Sequence, residues 1–402
     1  MPPLSPEFRL VCATCRWPRG EARIAAVRAA AADPALDWDR VIAVTKRQRV
    51  WGMVANGLAE AGVAAPPHVA EALDKRAQRI ARTNLFAAAE VARIGAAFDA
   101  AGIDWMCFKG MPLAIEAFGN LTVKMSNDID LLVPQDQVPA ACQVLRDAGY
   151  ARFSPGPEVA DAQIPRWMEL CKESGWRHPG NGLIVELHAR LMANPALLPQ
   201  AALGMPRRRI AISPATTVPT MGRELLFAYL VAHGAHHGWF RIKWLVDVAA
   251  LLSASDAVAI ERQYRAAQAL GVGRCAAQAL LLAHDLLALP LDPAFERELR
   301  RPAIHRLLVR IALSVMAGRH EAEEHDGPAA RSLLPATFGN LLLRRGIGYK
   351  WRELASMAAN PVDRATGRLP KGLGFLYPVL GGFRWIRRMT GLMDGHAPAR
   401  GG

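Results

Sequence analysis

The sequence predicts an α/β core built on a small mixed β-sheet and flanked by N-terminal and C-terminal α-helical domains. Three observations carry this. Residues 1–95 are rich in Ala and Arg at helical spacing, as in RIAAVRAAAADPALDWDRVIAVTKRQRVWGMVANGLAEAG, and hold few strand signals. Over 96–220, β-type runs alternate with helical stretches such as VPAACQVLRDAG, the arrangement that packs helices on a sheet. From 221 to 402 the helical period returns, with breaks near 290 and 325–335, and the chain closes on a basic amphipathic tail. At 402 residues and 51% hydrophobic content it can bury a large core.

Within the core, IDWMCFKG reads as a short buried strand ending in Lys109-Gly110, and MPLAIEAF after it has helical spacing. A strand, a Lys-Gly turn and a helix N-terminus form an anion site, because first-turn amides are unpaired and the helix dipole is positive there. Lys109 and Gly110 are therefore candidate phosphate contacts. The run ending NDIDLLV places Asp128 and Asp130 at i, i+2, so on a strand both carboxylates share one face while Ile129 and Leu131 point into a core. Two like charges this close favour a cation between them, and paired carboxylates are natural ligands for Mg²⁺. By itself Asp-x-Asp is a common tripeptide that also fits a turn residue beside a solvated strand end; the upstream anion site shifts the weight. Asn127, directly before the pair, joins the candidate nucleotide contacts.

Strand-like runs at 176–178 and 183–188 flank Pro179-Gly180-Asn181-Gly182, which predicts a β-hairpin. Ile184, Glu186 and His188 fall on one face of its second strand. An acid between Val185 and Leu187 is costly without a partner, which favours Glu186 as a third carboxylate beside Asp128 and Asp130 over a solvated charge. PRRRIAISPATTVPT predicts a further hairpin extending the sheet, with Arg207, Arg208 and Arg209 on a solvated face.

With Lys109-Gly110, Lys124 through Val133, and Glu186-Leu187-His188 in this order, the chain resembles the nucleotidyltransferase superfamily, the fold of polymerase beta and the antibiotic nucleotidyltransferases. More narrowly it resembles a bacterial family of uncharacterised nucleotidyltransferases. The resemblance implies Asp128, Asp130 and Glu186 as catalytic metal ligands for two Mg²⁺ ions, with Mn²⁺ as an alternative, and a nucleoside triphosphate as substrate. It departs from the superfamily in having Lys-Gly where Gly-Ser is usual, so a serine contact to phosphate does not carry over. Lys124 stands where the narrower family has Arg; it keeps the charge for a triphosphate contact but loses the bidentate fork.

ELLFAYLVAHGAHHGWFRIKWLVDVAALL, residues 224–252, sets His233 and His237 at i, i+4 and Lys243 and Asp247 at i, i+4. Gly234 stands where a zinc protease would need Glu. Core histidines between two packed helices and a helix-face salt bridge satisfy the same spacings. Similar family members carry a like His, Trp, Trp, Asp arrangement, which implies that this helix faces the active-site cleft with His233 and Asp247 near the acceptor; His188 is a further candidate for the acceptor side.

The formal net charge of +13 is spread along the chain and suits polyanionic partners. No aromatic-basic module stands out, so nucleic acid ranks below an unidentified small-molecule, peptide or protein acceptor. Cys12 and Cys15 form a lone C-x-x-C without zinc or thioredoxin context and read as reduced helix residues. MPPLSPEFRLV lacks the layout of a secretory signal, and no run of about 18 apolar residues occurs, so a cytoplasmic protein without a transmembrane segment is expected. The tail at 369–393 carries Arg384, Arg387 and Arg388 among aromatic residues. Docking on the core is favoured over peripheral membrane contact. Three function classes follow: transfer of a nucleoside monophosphate to a small-molecule, peptide or protein acceptor, a toxin-like modification of RNA or tRNA, and a catalytically silent nucleotide-binding protein.

Overall fold

The computed structural model describes residues 4–126, 128–198, 204–214, 216–318, 321–323, 334–358 and 361–366. The N-terminal region is helical, as expected: α1 (Pro6–Thr14), α2 (Glu21–Ala31), α3 (Trp38–Gln48), α4 (Trp51–Ala61) and the 34-residue α5 (Pro67–Ala100). Ser5 and Asp37 start α1 and α3 by accepting backbone N–H groups. Cys12 and Cys15 are buried free thiols in and just after α1.

The core follows as β1 (Met106–Cys107), α6 (Met111–Phe118), β2 (Ile129–Leu132), α7 (Val138–Asp147), β3 (Ala151–Ser154), α8 (Ile164–Cys171), β4 (Glu173–Arg177) and β5 (Ile184–His188). These strands make one five-stranded sheet in the order β1-β2-β5-β4-β3. Only β2 and β5 run parallel; β1–β2, β5–β4 and β4–β3 are antiparallel, so the sheet is mixed. The predicted turn at 179–182 does join β4 to β5.

β2 is buried along its whole length, and alternation sorts its residues between two cores. Ile129 and Leu131 join Val185, Leu187, Ile94 of α5, Leu145 of α7 and Met168 of α8 on one side. Leu132 joins Met106 and Phe108 in the other core, which continues into the C-terminal helices. Asp130, two residues before Leu132, faces this second side, as does His188 opposite Leu132.

The arginine hairpin forms as β6 (Arg207–Ser213) and β7 (Thr216–Met221), but it is a separate two-stranded sheet and does not extend the main one. β7 lies beside β1, yet β1 offers only two residues for pairing and Pro219 removes a donor from β7. Arg207 and Arg209 are exposed as expected, while Arg208 reaches down to Glu116 on α6 at 2.6 Å.

The C-terminal region comprises α9 (Arg223–His236), α10 (Lys243–Leu252), α11 (Ala257–Ala269), α12 (Gly273–Leu287), α13 (Pro293–Arg300), α14 (Ala303–Met316), α15 (Leu334–Asn340), α16 (Ile347–Ala358) and α17 (Pro361–Ala365). Among the described residues no helix is long and apolar enough to cross a membrane. Asn127 and the basic tail at 369–393 lie outside the described residues.

One core runs from α1 and α4 into α9, α10, α12 and α14, so the two helical regions share their interior. Gln48 shows how. Fully buried, it donates to the Met316 carbonyl at 3.0 Å and accepts the Ile242 amide at 2.7 Å, tying the end of α3 to α14 and to the start of α10.

Candidate active site

Parallel pairing of β2 with β5 sets Asp130 directly opposite Glu186 and Leu132 opposite His188. Residues paired in this way present their side chains to the same face. Asp130, Glu186 and His188 therefore converge, each offering a ligand atom within 4.8 Å of the others. His188 Nε2 lies 3.3 Å from Asp130 Oδ1 and 3.6 Å from Glu186 Oε2. Expected on the acceptor side, His188 thus sits within the acid cluster itself. Asp128 lies one residue ahead of β2 and is half-buried; its charge acts on Asp130, Lys109 and Lys243.

The turn before α6 forms as predicted. Gly110 has φ +67, a conformation that a side chain would strain, and a Cβ there would stand 3.6 Å from the Asp128 carbonyl oxygen. Lys109 bends onto the acids: its Nζ is 2.7 Å from Asp130 Oδ1 and 3.7 Å from Glu186 Oε2. Burial opposes its charge, but Asp130 and the neighbouring carboxylates raise its pKa well above the usual lysine range.

Each acid answers to its surroundings. Burial pushes Asp130 up, with Lys109 countering and Asp128 adding to the rise. At Glu186, burial is overcome by the His188 hydrogen bond and by Lys109, so its carboxyl is held far below the usual range. His188 is disfavoured as a cation by burial and Lys172, yet Glu173, Asp130 and Glu186 raise it. Glu173, whose Oε2 is 3.4 Å from His188 Nδ1, is a fourth carboxylate that the sequence reading missed. Its signal was the β4–β5 register, which pairs Glu173 with His188. Against Asp128, Asp130, Glu173 and Glu186 stand Lys109, His188 and Lys172, the last paired with Glu173, and the second Asp130 oxygen, Oδ2, is buried without a hydrogen-bond partner among the described residues.

Lys124 and Asp247 meet, although they lie 123 residues apart: Lys124 Nζ is 2.9 Å from Asp247 Oδ2. Asp247 is therefore not held by Lys243 across the helix face, the alternative that their i, i+4 spacing also allowed. Asp247 turns toward the loop that leads to β2, and that loop supplies the nearer cation. The loop is positioned by residues that the sequence did not single out. Asn84 of α5 is buried and donates to the Leu121 and Lys124 carbonyls at 2.5 and 2.6 Å. Gly52 of α4 lets the helix press against the loop; a Cβ there would lie 2.4 Å from the Val123 carbonyl oxygen.

His233 stands behind the cluster. Phe108 packs on His188 at 4.9 Å and on Tyr229 at 5.2 Å, and the Tyr229 hydroxyl is 3.3 Å from His233 Nδ1. His237 lies 4.6 Å from His233 and stacks on Trp244 at 4.8 Å. Burial, then His237 in the one case and His236 in the other, holds His233 and His237 well below the usual histidine range, so both are neutral. Gly234 has a packing reason: a Cβ would lie 2.2 Å from the Trp239 ring. Glu at this position would not fit.

No curated protein matches the chain. The pattern of a family described as uncharacterised nucleotidyltransferase matches residues 34–288, more than half of the sequence, from α3 through the acid cluster to α12, and the chain belongs to that family.

Proposed function

We propose that the protein transfers a nucleoside monophosphate from a nucleoside triphosphate to a hydroxyl or similar group of a small-molecule, peptide or protein acceptor. The observation that carries this reading is the buried, unpartnered Asp130 Oδ2 beside Glu186 in a cluster with more carboxylates than cations. A buried carboxylate oxygen without a partner is costly, and a divalent cation removes the cost. Asp128, Asp130 and Glu186 would hold Mg²⁺ or Mn²⁺, with His188 as a further ligand. Such ions supply a lowered pKa at the acceptor hydroxyl and neutralise charge on the α-phosphoryl and the departing pyrophosphate.

The chain's own groups have distinct tasks. Glu173 orients His188, and His188 with Lys109 keeps Glu186 ionised. Lys109, paired with Asp130 at the Gly110 turn, is the cation that would serve the nucleotide phosphates. Lys124, braced by Asp247 and Asn84, adds charge for the triphosphate. His233 belongs to the wall that the acceptor meets, whereas Asp247 is taken up by Lys124.

The test is transfer of α-labelled phosphate from each of ATP, GTP, CTP and UTP, with Mg²⁺, to the protein itself, total tRNA and a metabolite extract. Label should appear on the protein or a metabolite and vanish in Asp130→Asn, whose circular dichroism stays native. Transfer undiminished in Asp130→Asn would sink the assignment, and label appearing on tRNA alone would move it to RNA modification.

A further inference from the structure

A second group of charges lies on the Asp128 side of the cluster, where Arg49 and Lys243, which have no task so far, join the Lys124–Asp247 pair. Arg49, Lys124, Lys243 and Asp247 line one hollow, with Val50 and Met53 of α4 and Val123 and Met125 of the loop. Three separate parts of the chain meet there. Arg49 follows α3 in a left-handed conformation, φ +57, which turns it out of the helix. Lys124 comes from the loop held by Asn84, and Lys243 is the first residue of α10, where the helix dipole is positive.

The charges do not balance. Three cations face one carboxylate, and Asp247 is already bound to Lys124. Among the described residues, neither Arg49 nor Lys243 has an acid within ion-pair distance; Lys243 instead sits 5.6 Å from the centre of the Trp244 ring. Half-buried cations left unpaired beside one another repel, and a bound polyanion relieves that repulsion. Lys243 registers the strain: burial, then Lys124, pushes its pKa down to about 7, with Arg49 and Lys109 adding to the fall and Asp128 opposing it. The hollow itself, about 10 Å³, admits no more than a water. Any anion would therefore have to lie across its mouth, where all three half-buried side chains retain contact with solvent.

We infer that this mouth is the seat of the nucleotide's β- and γ-phosphates, with Arg49 from the N-terminal helices and Lys243 from the C-terminal helices joining Lys124 as phosphate-binding residues. The inference rests on the proposed nucleotidyl transfer for the identity of its ligand. Both new residues fall within the family match at 34–288. The helical regions before and after the sheet thus each give a cation to one subsite, and pyrophosphate leaves from a basic mouth.

Binding of inorganic tripolyphosphate to the full chain, followed by calorimetry in metal-free buffer, tests this. Wild type should bind, and Lys243→Met and Arg49→Met should each weaken binding about tenfold, the scale of one lost charge-assisted hydrogen bond. Lys243→Arg should restore most of it, and Asp130→Asn should bind at least as tightly as wild type. Melting curves check that each variant is folded. No binding to wild type, or equal binding to wild type and the folded Met variants, overturns the inference. The two readings fail separately. If tripolyphosphate binds through Arg49 and Lys243 but no acceptor is ever labelled, the subsite stands and the transfer reading falls. If transfer proceeds with an unchanged KM for the triphosphate in Lys243→Met, the subsite falls alone.

Discussion

Asp130 and Glu186 show how two carboxylates of similar chemistry are driven apart by position. Asp130 is fully enclosed and burial dominates, whereas Glu186 keeps some contact with solvent and is held ionised by His188 and Lys109. Lys243 gives the clearest test at this scale. Its ordinary unfolded pKa is about 10.4, and the folded value is about 7. Below about pH 7 both states carry the proton and the fold bears the whole cost of a crowded cation. From about 7 to 10.4 only the unfolded chain binds the proton, so stability rises with pH and the cost fades. Lys243→Met should therefore raise the melting temperature by about 1–3 °C near neutral pH. That gain should shrink toward pH 10; a gain independent of pH would show that Lys243 is not the group responsible. A side chain retained at the expense of stability fits a functional residue better than a packing one.

At the scale of elements, legibility follows the range of the interaction. The β1–Lys109-Gly110–α6 turn and the β4–β5 hairpin were read from residues adjacent in sequence, and both form. Asn84 and Gly52 were invisible because their meaning depends on a loop that returns to them 40 and 71 residues later. Gly52 could only have been read as a weak point in α4. In the structure it is the contact that lets α4 seat the 121–126 loop. Gly52→Ala should displace that loop, costing about 1–3 kcal/mol as overpacking does. Because Lys124 moves with the loop, the KM for triphosphate should also rise. A folded Gly52→Ala protein with unchanged stability and KM would show that the contact relaxes without consequence.

For the whole molecule, the shared core decides what can be separated. Expected boundaries near 95 and 220 follow changes in periodicity, yet α5 runs through the first of them to Ala100, and Phe8, Val44 and Val54 pack in the same core as Leu230, Leu251 and Leu280. Removing residues 1–62 would expose that apolar surface and free Gln48's partners on α10 and α14. The shortened chain should lose its cooperative melting transition. A sharp transition retained by residues 63–402 would mean that the N-terminal helices are a dispensable addition.

The sequence by itself determined the local pieces of the candidate site: the i, i+2 acids, the Lys-Gly turn, the acid-Leu-His strand and the helical flanks. These are patterns of period 2 or 3.6, fixed by backbone geometry within a few residues. Tertiary structure alone decided who stands beside whom. Strand register put His188 and Glu173 into the cluster, Asp247 chose Lys124 over its helical neighbour Lys243, and three distant segments gathered Arg49, Lys124 and Lys243 at one mouth. Coulomb interaction depends on distance in space, and sequence spacing measures that distance only inside a single helix or strand.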